Sequence, residues 1–204
     1  MSKALVTQSY LTDIANSIRT KLGVQTTYTP SQMSSAIDSI PSGGGDEEFV
    51  KMVTRPSNSN ITIPDDITTI GDYAFYSFSG LTAISIPNSV TSIGAYAFRK
   101  CTNLALTSLP SGITSIGTYA FAECTNLALT SLPSGITKID SNAFYNCTGL
   151  TTITFEGTPT SIASSAFGGC INLTTINVPW SQGAVSGAPW GATNATINYN
   201  YTGA

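Results

Sequence analysis

One feature fixes most of what this chain can become: it repeats itself every 23 residues. Phe75, Phe98, Phe121, Phe144 and Phe167 stand at that spacing, each preceded by alanine. Ile70, Ile93, Ile116, Ile139 and Ile162 keep the same period, as do Leu81, Leu104, Leu127, Leu150 and Leu173. A further apolar column runs Ile63, Ile86, Leu109, Leu132, Phe155 and Val178, mostly followed by proline. Such a unit buries its apolar face only when neighbours stack on it, so the repeat predicts a solenoid. The L-x-x-I-x-I part has the spacing of a short strand with alternate residues turned inward, and the A-F-x-x-C part is read as a helical or 3₁₀ turn returning the chain. Parallel strands about 4.8 Å apart over six turns make a rod roughly 25 Å long.

The unit I-x-x-x-A-F-x-x-C-x-x-L-x-x-[IT]-x-[ILFV]-P resembles the leucine-rich repeats of the BspA type, over about residues 60–180. That resemblance implies an α+β solenoid and a binding role, since such repeats occur in bacterial surface adhesins, some protists and phage-borne proteins. It names no partner, because fold is not function.

The repeat also explains the cysteines. Cys101, Cys124, Cys147 and Cys170 share one phase, and Phe78 fills it in the first unit, so the position wants apolar volume. Buried free thiols are expected, with no disulfide and no metal: one cysteine per rung does not staple a fold, and none is spaced C-x₂-C.

Composition narrows the chemistry. Charged residues are 9% of the 204, against roughly 25% in ordinary domains, and the formal net charge is −3. A nucleic-acid partner would need a basic stripe, and no run approaches a membrane span. Histidine is absent, which removes the commonest general base and metal ligand. With no paired-carboxylate motif and no phosphate loop either, the chain is read as non-enzymatic and without cofactors. Asp65-Asp66 is the one adjacent acidic pair in the rod and reads as a solvated turn.

Charge also divides the chain. Residues 1–56 hold ten of the nineteen charged residues, and Pro41-Ser-Gly-Gly-Gly45 followed by Asp46-Glu-Glu48 reads as a flexible joint. Ahead of it, Leu11, Ile14, Ala15, Ile18 and Leu22 form one helical stripe and Met33, Ile37 and Ile40 another, started by Thr29-Pro30. The predicted organisation is a helical hairpin for attachment or oligomerisation at 1–41, a linker at 42–48, the solenoid at 49–180 and a C-terminal cap at 181–204. Phe49-Val-Lys-Met-Val53 is expected as a capping strand, and Ile197, Tyr199 and Tyr201 alternate as a half-buried one.

Several columns are candidates for a binding surface. Ser85, Ser108, Ser131, Thr154 and Asn177, with Thr82, Ala105, Ala128, Thr151 and Thr174, make a small, uncharged strand face: a solubilising ladder or a contact surface for glycan or protein. Leu106 and Leu129 fall where the first unit has Ala83, while Thr107 and Thr130 replace the inward Ile84. Either a local register shift turns these leucines inward, the preferred reading, or they stand out as an apolar anchor. Tyr73, Tyr96 and Tyr119 form a ladder that fades to Asn142 and Ser165. Trp180 and Trp190 seal the last rung or offer flat faces to sugar rings. Five Asn-x-Ser/Thr sequons, at Asn60, Asn146, Asn172, Asn194 and Asn200, are attributed to composition.

The flanks carry a second resemblance. Tyr10-Leu-Thr-Asp-Ile-Ala-Asn-Ser-Ile-Arg19 with Pro30, Met33 and Ile37 is similar to the module opening many tail-appendage proteins of phages and prophages of Gram-positive bacteria. Val178-Pro-Trp180 with Ala188-Pro-Trp-Gly-Ala-Thr-Asn-Ala-Thr-Ile-Asn-Tyr199 is similar to segments ending such proteins. This implies a virion tail component that joins other tail proteins, or a homo-oligomer, through residues 1–41 and binds a host-surface glycan or protein. Met1 to Leu11 lacks the apolar core of a signal peptide, which fits assembly in the host cytoplasm. The alternative is a cellular BspA-like adhesin or protein–protein interaction module at a bacterial surface or outside the cell.

Overall fold

A computed structural model describes residues 60–203 together with two short strands, Lys3–Ala4 (β1) and Phe49–Val50 (β2). The remaining strands, two to four residues each, are all parallel. The isoleucine column builds one seven-stranded sheet from Thr69–Ile70 (β4), Ser92–Ile93 (β6), Ser115–Ile116 (β7), Lys138–Ile139 (β9) and Ser161–Ile162 (β11), continued past β4 by β1 and then β2. Register follows the repeat: Ile70 pairs Ile93, Ile93 pairs Ile116 and Ile116 pairs Ile139.

The second strand of each turn falls into two sheets. Asn60–Thr62 (β3) pairs Ala83–Ser85 (β5). Ser131–Leu132 (β8), Thr152–Phe155 (β10), Thr175–Asn177 (β12) and Thr196–Asn198 (β13) form the other. The interruption lies at residues 104–109, where Leu106 and Thr107 have changed places relative to the inward Ile84. The register shift is what the structure adopts: Leu129 is buried, Leu106 packs partly buried on the core, and Thr107 and Thr130 are exposed. Both leucines therefore serve packing, and Leu129 offers no surface anchor.

The A-F-x-x-C segments correct the expectation of helical or 3₁₀ turns. The described residues contain no helix, and the molecule is a parallel β-solenoid of about six turns rather than an α+β fold. The reason lies in where the amides point. Tyr76 N–H donates back to the Tyr73 carbonyl at 3.0 Å, but Phe75 N–H donates to the Ala97 carbonyl of the next turn at 2.6 Å. Phe98 to Ala120, Phe121 to Ala143 and Phe144 to Ala166 repeat this at 2.7–2.8 Å. A helix needs consecutive right-handed residues, whereas left-handed ones bracket these four phenylalanines: Tyr73 and Ser77 (φ 59° and 55°), Tyr96 and Lys100 (58° and 65°), Tyr119 and Glu123 (55° and 62°), Asn142 and Asn146 (57° and 55°). So short a piece cannot nucleate a helix, and cross-rung bonds satisfy its amides instead. Of the helical module expected at 1–41, Lys3–Ala4 is instead a strand paired with β4, and the two helical stripes lie outside the described residues.

The phenylalanines stack through the core with centroids 5.0–5.5 Å apart and planes within 7°. At the carboxyl end Trp190 is fully buried and Trp180 nearly so. Both pack against Phe155, and Phe167 N–H bonds the Trp190 carbonyl at 2.9 Å. The tryptophans thus take the place of a further rung, which hides the faces a sugar would need.

Candidate functional site

Among the described residues, only Tyr73, Tyr145 and Ile171 are large apolar side chains classed as exposed. Two of them belong to a single ridge. Tyr73 stacks on Tyr96 (4.8 Å, 6°), and Tyr96 stacks on Tyr119 (5.3 Å, 12°). Tyr76 leans on Tyr73 at 5.7 Å, and Tyr145 meets the edge of Tyr119 at 6.3 Å. Arg99 lies across the middle, its guanidinium 5.6 Å from the Tyr96 ring and 5.3 Å from Tyr119, with Nε and Nη2 both donating to Glu123 Oε1 at 3.0 and 2.8 Å. That carboxylate raises the guanidinium pKa above its ordinary value. Sequence reading found the ladder of Tyr73, Tyr96 and Tyr119. It missed Tyr76, Tyr145, Arg99 and Glu123, whose columns are not uniform from turn to turn.

The ridge lies on the left-handed corners that recur along the solenoid. Its three ladder tyrosines occupy a left-handed position that costs an L-residue about 1–2 kcal/mol, although Asn142 fills the same place in the next turn at lower cost. Ring stacking recovers roughly 0.5–1.5 kcal/mol per pair, so the tyrosines are not the cheapest way to make this corner. Sparsely populated backbone conformations gather at functional sites. The stacking also decides what the ridge can offer. Ring faces are turned to one another, leaving ring edges and phenol groups for a partner.

The strand face is quieter. Ser85 and Ser108 are exposed, Ser131 and Thr154 half-buried and Asn177 buried. Their polar groups largely bond each other: Asn177 Nδ2 donates to Thr154 Oγ1 at 3.1 Å, Asn198 Nδ2 to Asn177 Oδ1 at 2.8 Å, and the Ser131 hydroxyl to Glu156 at 2.7 Å. A second ladder escaped the sequence reading: Thr91, Thr114, Thr137 and Thr160 each donate a hydroxyl to the preceding threonine carbonyl at 2.8–3.3 Å.

The cysteines fill core volume, as their phase implied, and they do one thing more. Each Sγ donates to the carbonyl of the phenylalanine 26 residues earlier, at 3.0 Å in all four rungs. Burial raises the Cys124 and Cys147 thiol pKa values well above their ordinary range and lifts Cys170 to about 11. All four thiols are buried, and burial holds Cys124, Cys147 and Cys170 in the neutral form. No group of metal-ligating side chains occurs among the described residues, and Asp65 and Asp66 lie exposed in the turn between β3 and β4.

Comparison with known proteins bears on this geometry. Residues 53–174 match the BspA type leucine rich repeat region in six copies. The chain belongs to the BspA-type leucine-rich repeat family. It is similar to a leucine-rich repeat protein from Bacteroides ovatus, at 34% identity and TM-score 0.51, over 58% of this chain and 30% of that one. It is also similar to a leucine rich cell surface protein from Faecalibacterium prausnitzii, at 32% identity and TM-score 0.57, over 73% of this chain and 38% of the other. The chain thus spans about a third of the length of these relatives. Comparison with curated proteins gave no match. No enzymatic family is indicated, and the comparisons show no likeness to tail-appendage proteins; the flank segments read that way lie outside the matched residues.

Proposed function

We propose that this BspA-type repeat chain is a non-catalytic adhesion module at a bacterial cell surface, and that the ridge of Tyr73, Tyr76, Tyr96, Arg99, Tyr119 and Tyr145 is its contact surface. The observation that carries this is the placement of tyrosine, three times over, where the backbone pays for it, on the side that carries both exposed aromatic side chains among the described residues, Tyr73 and Tyr145. Tyrosine and arginine are the residues most enriched at binding hot spots, and a stacked solenoid holds them with little loss of side-chain freedom. The description of the Faecalibacterium prausnitzii relative as a cell surface protein supports the location. The test is binding of purified protein to intact bacterial and host cells, with competition by wall polysaccharide and by stripped surface protein. Replacing Tyr96 and Tyr119 together by serine should lower binding at least tenfold while leaving the fold intact. Undiminished binding defeats the ridge as contact surface.

The virion reading, with residues 1–41 joining tail proteins and the rod meeting the host, draws on the flanking residues alone. Labelled antibody that decorates virions rather than producing cells would favour it over the surface reading.

A further inference from the structure

The partner of the ridge can be narrowed by the order of its residues along the rod; this step rests on the ridge being the contact surface. We infer that it pairs with the same ridge on a second copy of this chain, about a two-fold axis passing between Arg99 and Glu123. A two-fold interface must be self-complementary under reversal: what residue i meets in the partner, the partner's i meets in return. Reading along the axis, the ridge presents Tyr73 with Tyr76, then Tyr96 with Arg99 and Lys100, then Tyr119 with Glu123, then Tyr145. Reversed, this order sets aromatic against aromatic at both ends and cation against anion in the middle.

The charges in the centre suit that arrangement. Arg99 and Glu123 pair within one chain at 2.8 Å, with side chains still 28% and 31% exposed, so two such pairs laid antiparallel face opposite charges. Lys100 stands in the same column as Glu123 one turn away, is partly exposed and makes no ion pair among the described residues. Reversal brings it an acid. Asp72 is already tied to the Ala95 amide at 2.6 Å and would face the Tyr145 rung, whose charges are the mutually paired Lys138 and Asp140 at 2.8 Å. Residues 57–204 hold only nine charges, so a cation and an anion on successive rungs, flanked by aromatics, is a marked pattern. A strongly anionic partner is disfavoured, because Glu123 already offsets Arg99.

The ridge spans three rung spacings, about 15 Å, which places the pairing at the small, weak end of protein interfaces. Display of many copies on a surface would raise such contacts to useful avidity.

The test is sedimentation of the full chain over rising concentration, with Arg99→Glu and Glu123→Arg as separate variants. The wild type should show a weight-average mass that climbs with concentration, while each variant alone, facing like with like, associates at least tenfold more weakly. An equimolar mixture of the two should associate at least as well as wild type, because one face then carries two acids and the other two guanidinium groups. A merely structural role for the pair would not be rescued by mixing. A wild type that stays monomeric, or a mixture no better than its components, overturns the inference. If cell binding falls on loss of Tyr96 and Tyr119 while the wild type stays monomeric, the ridge stands and the pairing with a second copy falls. Should a charge reversal fail to fold, salt gives the same test on the wild type. Going from about 0.1 M to about 1 M shortens the screening length from about 10 Å to about 3 Å and should weaken association several-fold. Unchanged association in salt overturns it equally.

Discussion

Replacing Phe121 by alanine removes a ring that is wholly buried and stacked between Phe98 at 5.1 Å and Phe144 at 5.5 Å. The Phe121 amide also bridges to Ala143 in the next turn, so the surrounding backbone is pinned and cannot collapse into the space. A large-to-small change at such a site costs about 3–5 kcal/mol. For a chain of this size each kcal/mol moves the midpoint by about 2–4 °C, giving a fall of roughly 6–20 °C. Phe75→Ala is the control. Its ring is 5% exposed and has a single stacked phenylalanine neighbour, Phe98 at 5.0 Å. In a structure whose turns contact only their neighbours, losing the first ring frays one end while losing the third uncouples two halves. Thermal melts and urea titrations followed by circular dichroism should show a loss at Phe75 no more than about half of that at Phe121. Equal losses would refute the one-dimensional stacking on which the reasoning depends.

Other consequences follow from the same geometry. All four thiols should react with a maleimide or disulfide reagent at neutral pH only after denaturation; fast labelling of the native chain would contradict their burial and their bonds to phenylalanine carbonyls. Because Cys170 titrates near 11 in the fold against 9.0 ordinarily, its neutral form is favoured by folding. The thiol contribution to stability is therefore full below about pH 9 and is lost as pH rises through about 11, which urea midpoints from pH 7 to 11 can follow. Ser77 sits at φ 55° and is exposed, so Ser77→Gly should raise stability by about 0.5–1 kcal/mol. Gly169→Ala should lower it by at least about 1 kcal/mol, since the residue holds φ 72° and a Cβ there would meet the Asn146 side chain. Melts that move the other way would count against the left-handed corner as the source of strain.

What the sequence revealed was whatever recurs in every turn. Phe121, Ile116, Leu127 and Cys124 repeat without insertion, and their columns predicted the core, the parallel register and the buried thiols. The strand shift at Leu106 and Leu129 was also legible, as an exchange of apolar and polar positions. The turn conformation was not. A-F-x-x-C has a helix-like apolar spacing, and only the cross-rung bond from Phe75 to Ala97 and the left-handed Tyr73 and Ser77 exclude a helix. Those depend on the stacked neighbour, which a local pattern cannot see. The binding surface was half legible for the same reason. Tyr73, Tyr96 and Tyr119 recur, whereas Tyr76, Arg99 and Tyr145 share a column with Ala122 and Gly168, and only the fold sets them beside the ladder. Trp180 and Trp190 were legible as a seal on the last rung, and the structure closes both over Phe155, leaving the sugar-stacking alternative without exposed faces.

The claim that the tyrosine ridge is the contact surface has one direct measurement: amide hydrogen exchange of the free chain against the chain bound to its target cell-surface fraction. The account predicts protection that recurs at the 23-residue period of the repeat, at residues 73–77, 96–100, 119–123 and 142–146, where Phe and its flanking left-handed residues carry the ridge. Protection concentrated instead at residues 82–86, 105–109, 128–132 and 151–155, with those corner segments unchanged, would place the contact on the strand face and contradict it.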